Sequence, residues 1–136
     1  MRTVKLFLLG LLLGGFVATS VSFGAAAPGL ARADSGGGVT VKVTYLHPQG
    51  EDDARFEVVL DTHSVSLDAY DLKTLSVVRD DTGKSYQATR AENKGSGHHR
   101  EATLTFPKLS PEARVLELVI KDVAGVKERV FRWELR

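Results

Sequence analysis

Four imidazoles, at His47, His63, His98 and His99, are the side chains best suited to chemistry here, because the chain has no cysteine and its single methionine is Met1. Neutral imidazole nitrogen, joined by carboxylate oxygen, is a donor set for Zn(II) or Cu(II). His98 and His99 adjoin each other, and Asp61, Asp68, Asp71, Glu92 and Glu101 lie close to them or to His63 in sequence. His63, His98 and His99 are therefore the candidate metal ligands. The competing reading is that His63 bonds within its own loop while His98 and His99 are solvated at a loop edge.

Other chemistries fare worse. Without cysteine the chain cannot be a disulfide scaffold, a thiolate zinc site, an iron–sulfur protein, a blue-copper site or a cysteine-nucleophile enzyme. Without methionine after the first residue, Cu(I) carriage lacks its soft ligand. Asp61, His63 and Ser64 fall within four residues, too close along an extended chain to converge as orienter, base and nucleophile, and no nucleophile elbow is present. Asp80, Asp81 and Gly83 lack the alternating acids of a calcium loop and read as a turn. No catalytic residue is assigned, and the chain is expected to be non-enzymatic.

The elements that must position the histidines begin after an export leader. Residues 1–33 carry Arg2, Lys5 and Arg32 and no acid, and Leu6 to Phe23 is almost wholly apolar. A basic start, an apolar run and then small residues, at Ala25 to Ala27 and again at Ala31 and Ala33, make a signal peptide. Pro28 hinders a cut at the first site, so the expected cut follows Ala33, with residues 34–38 as a flexible spacer. An uncleaved membrane anchor is the alternative. Taking 33 residues from the 136 leaves 103, with 15 basic and 17 acidic side chains, so the precursor's net charge of +1 becomes −2 in the mature chain. No basic field remains to hold nucleic acid.

Period-2 alternation then runs through residues 39–136. Val39, Val41, Val43 and Tyr45 share one strand face; Phe56, Val58 and Leu60 another; Ala102, Leu104 and Phe106, then Leu116, Leu118 and Ile120, then Phe131, Trp133 and Leu135 follow. Strands are also expected over 72–79, with Leu75 and Val77, and over 84–91, joined by a tight turn at Asp80 to Gly83. Residues 61–71 form a crossing loop with one helical turn capped by Ser66 or Asp68, and 92–97 form a loop. Seven short strands in about 100 residues predict an all-β, seven-stranded immunoglobulin-like Greek-key sandwich. In that order strands one, two, five and four form one sheet and strands three, six and seven the other. The crossing loop, the loop before His98, the turn Asp122 to Gly125 and the new amino terminus then share one end. His63 and His99 are expected to meet on the outer face there. Lys84, Lys127 and Arg129 read as guards on exposed strand edges, and Tyr70 as packing over the core.

The run Asp61 to Leu72, with Gly97, His98, His99 and Asp122 to Val126, resembles small exported bacterial immunoglobulin-like sandwich proteins to which no activity is attached. The resemblance implies an exported sandwich and nothing more specific. In architecture alone the chain also resembles periplasmic copper-resistance carriers. The expected function is an exported, periplasmic or extracellular, non-enzymatic binding module. Its partner is a divalent metal (Zn or Cu(II)) or an envelope protein, with no nucleic acid, and with membrane only if the leader is uncleaved. The alternative is a structural or adhesive envelope module without metal.

Overall fold

The computed structural model describes residues 30–46 and 52–135, so His47 and residues 1–29 of the expected 1–33 leader lie outside the described residues. The elements in chain order are β1 Ala31–Gly36, β2 Val39–Tyr45, β3 Ala54–Thr62, α1 Leu72–Leu75, β4 Ser76–Asp80, β5 Ser85–Gln87, β6 Arg90–Ser96, β7 His99–Phe106, β8 Val115–Val123 and β9 Val126–Glu134. They form an all-β fold of two antiparallel sheets, ordered β1-β2-β3-β7-β6 and β5-β4-β8-β9. Alternation decides the inner faces: Val39 to Tyr45, Phe56 to Leu60, Ala102 to Phe106, Leu116 to Ile120, and Phe131 with Trp133 are buried at every second position. At one end of the core Phe56 meets the rings of Tyr45, Trp133 and Phe106 at 5.1, 5.5 and 5.6 Å. Such aromatic packing adds to what burial alone supplies.

Among the described residues nine strands stand where seven are expected from the sequence, for two local reasons, and one strand is longer than expected. Residues 84–91 divide: β5 pairs with β4, and the chain then crosses to the other sheet as β6. The crossing is fixed where the Thr89 N–H and hydroxyl both donate to the Thr105 carbonyl, at 2.8 and 3.1 Å. Residues 92–96, expected as loop, belong to β6, whose pairs run from Arg90–Thr105 to Ser96–His99. Most of its side chains are exposed, so the strand has no apolar alternation to betray it. The second reason is β1, which spans the expected leader boundary.

The expected strand over 72–79 also changes. Asp71 caps α1, accepting from the Lys73 N–H at 3.1 Å and the Thr74 hydroxyl at 2.7 Å. The Thr74 hydroxyl is the main reason its carboxyl titrates below the usual range. One helical turn before β4 shifts the strand's phase, burying Ser76 and Val78 and leaving Leu75 and Val77 half-buried. The tight turn at Asp80 forms as expected: Asp80 Oδ1 accepts from Thr82 N and Lys84 N at 2.9 and 3.1 Å, and Gly83 takes φ +90°.

β1 lies beside β2 from Ala31–Thr44 to Gly36–Val39. Gly37 and Gly38, at φ +62° and +78°, turn the chain into β2, and a Cβ on Gly37 would stand 2.1 Å from the Ala124 carbonyl oxygen. Residues 34–38 are thus a strand end and a packed hairpin turn where a spacer is expected. The chain enters β1 beside Tyr45, whose N–H donates to the Leu30 carbonyl at 3.1 Å. That is the end opposite the histidines, whereas the amino terminus of a chain cut after Ala33 is expected at the histidine end.

Arg129 corrects the expectation of an edge guard. Stepping back by twos from Trp133 and Phe131 turns it inward, and it is 1% exposed. Its guanidinium donates to Asp34 Oδ2 at 2.9 Å, to the Gly36 carbonyl at 2.8 Å and to the Val123 carbonyl at 3.2 Å. Farther along, Trp133 Nε1 donates to the Leu30 carbonyl at 2.9 Å, and the Arg32 guanidinium stands over the indole at 5.8 Å. β1 therefore closes one side of the sandwich, hydrogen-bonded to β2 and clasped by β9.

Candidate functional site

The exit of β3 lies beside the start of β7, with Asp61 directly opposite His99. Alternation along both strands sends Asp61, His99 and Glu101 to the outer face of the five-stranded sheet. There His99 Nδ1 bonds Asp61 Oδ1, and His99 Nε2 lies 3.1 Å from Glu101 Oε1. Ionised carboxylates only accept, so satisfying both contacts requires a proton on each ring nitrogen. The His99 pKa accordingly rises from its ordinary value, through the bond to Asp61 first and the bond to Glu101 second.

The register gives the place directly opposite His99 to Asp61, with His63 two residues farther along the chain. His63 follows the end of β3, and His98 sits in the β6–β7 turn; both are exposed. Their backbones do come together, since Thr62 N donates to the His98 carbonyl at 3.0 Å. Neither imidazole has a hydrogen-bond partner among the described residues. Nor do the described residues include any group of three or more His, Cys, Asp or Glu side chains placed to hold a metal ion. The two carboxylates at His99 approach different corners of its ring, so the three groups do not converge on one point. Of the other nearby acids, Asp68 accepts from Gly97 N at 2.7 Å, Asp71 caps α1, and Glu92 pairs with Arg90 at 2.5 Å.

The loops at this end are stitched together. Leu67 N donates to the Gly97 carbonyl at 2.8 Å, Thr62 Oγ1 to the Gly38 carbonyl at 2.7 Å, and Ala124 N to the Tyr70 hydroxyl at 3.0 Å. Buried Arg100 holds the crossing loop from beneath, donating to the Leu67 and Tyr70 carbonyls at 2.6 and 2.7 Å and to Asn93 Oδ1 at 3.1 Å. Sequence reasoning missed Arg100, although its parity with Ala102, Leu104 and Phe106 turns it inward.

Toward the opposite end of the five-stranded sheet, an open groove of about 570 Å³ is lined by Leu46, Asp52, Asp53, Arg55, Arg90 and Glu92 among others. Leu46, 40% exposed, is one of two large apolar side chains at the surface of the described residues. The fold and site together define a two-sheet β-sandwich with a polar, cross-bridged outer face. No known protein family matches the chain, and no curated protein or solved structure matches it either.

Proposed function

We propose that the chain is an exported, non-enzymatic module of the cell envelope, an immunoglobulin-like sandwich that works by surface contact and whose histidines order its loop end. One observation carries this reading: both nitrogens of His99 face carboxylates, which commits to the protein the imidazole best placed to anchor a metal. At either ring nitrogen a metal would have to displace a proton that is hydrogen-bonded to a carboxylate. The immunoglobulin-like label is supported by the neighbours β2-β3-β7-β6 facing β4-β8-β9, and export by the basic, apolar and small-residue order of the first residues. The groove at Leu46, with mixed charge on its walls, suits a protein partner of equally mixed charge.

A second reading keeps Zn(II) or Cu(II) at His63, His98 and His99. The Thr62–His98 backbone bond favours it, because it sets two exposed imidazoles on neighbouring chain segments. Calorimetric titration of the purified exported protein with each metal separates the two. Surface contact predicts no saturable binding at micromolar metal. Saturable binding abolished by His63→Ala with His99→Ala would replace it with the metal reading.

A further inference from the structure

Leu30, the first described residue, is already built into the fold. Its carbonyl accepts from Trp133 Nε1 and from Tyr45 N, and its side chain packs against the core. The next three residues make half of the β1–β2 register, through Ala31–Thr44, Arg32–Val43 and Ala33–Lys42. Arg32 also reaches across to β9, donating from Nε to the Arg132 carbonyl at 3.2 Å and covering the indole of Trp133.

A cut after Ala33 would remove all of these groups. The Trp133 N–H, on a residue only 3% exposed, would lose its acceptor, and a buried donor left unmatched is costly. The new α-ammonium would sit on Asp34, whose carboxylate is the ion-pair partner of the buried Arg129. A second cation would then compete for that carboxylate.

We propose that leader removal occurs ahead of Leu30, within the small residues Gly24 to Ala27, so that Leu30 to Gly36 stay on the mature chain as β1. Water adds across one peptide bond, leaving a carboxylate on the leader and an α-ammonium on the mature protein. Pro28 disfavours the bond that immediately precedes it, and the bond between Ala26 and Ala27 has small residues on its leader side at Gly24 and Ala26. This inference rests on the export reading above, since without a leader there is nothing to remove.

Expression of the full chain in an exporting bacterial host, with intact-mass measurement and amino-terminal sequencing of the exported protein, tests it. The expected amino terminus is Ala25, Ala26 or Ala27, is unchanged in Ala33→Leu, and is lost or moved in the Ala26→Leu, Ala27→Leu double variant. A mature chain beginning at Asp34, with processing blocked by Ala33→Leu, would overturn the inference and leave export standing. Full-length, unprocessed chain in the membrane fraction would overturn the cleaved-leader reading and this inference with it.

Discussion

Arg129 and His99 are both basic side chains held by a carboxylate from another strand, and they differ in what surrounds them. The Arg129 side chain is wholly buried against an Asp34 that is 45% exposed, whereas His99 and Asp61 are 55% and 57% exposed. Burial makes Arg129 architectural: with its charge out of water, the guanidinium needs the carboxylate and both carbonyls it bonds, and so ties β1 and the β8–β9 turn together. Exposure makes His99 responsive. Water competes for its contacts, they add little to stability, and what they change is where the imidazole titrates.

The largest expected effect is therefore at the closed side. Arg129→Ala removes three hydrogen bonds and a buried side chain, and should lower unfolding stability by about 3 kcal/mol in chemical denaturation. An unchanged midpoint would break the contrast at its stronger pole. Trp133→Phe keeps most of the ring packing and deletes the bond to Leu30, for an expected loss of about 1–2 kcal/mol in the same measurement.

At the histidine end the effects are smaller and change with pH. Because the folded-state pKa of His99 is raised, its contribution is fully present below the unfolded value near 6.5 and is lost as pH rises through the folded value. Urea midpoints of the parent and His99→Gln proteins should thus differ most at pH 5.5 and converge in alkali. A difference that grows with pH would contradict the imidazolium. Smaller still is the division between its two partners: Asp61→Asn should lower the NMR titration midpoint of His99 further than Glu101→Gln does. Equal or reversed shifts would put the stronger contact at Glu101.

The same contrast explains what could be read from the sequence. The inward alternation of Val39 to Tyr45, Phe56 to Leu60 and Leu116 to Ile120 announced two apolar sheet faces, because burial at every second residue leaves a pattern in composition. β6 left none, since its side chains face water and backbone pairing with β7 makes it a strand. β1 was hidden for the same reason, by small and polar residues following an apolar run. At the candidate site, the neighbourhood of His63, His98 and His99 followed from topology. The partner of His99 depended on a register in which Asp61, not His63, stands opposite. Arg100 and Arg129 were legible by parity alone, but their charge argued for the surface, and only the carbonyls around them reconcile burial with charge.

The most direct test of the central claim is a long-range proton–nitrogen NMR spectrum of the His99 imidazole at pH 6, recorded with and without equimolar Zn(II) and followed through a pH titration. Protons on both ring nitrogens, a titration midpoint above 6.5 and signals unmoved by the metal are the predicted result. An unprotonated nitrogen at pH 6, or one that shifts on adding Zn(II), would contradict it.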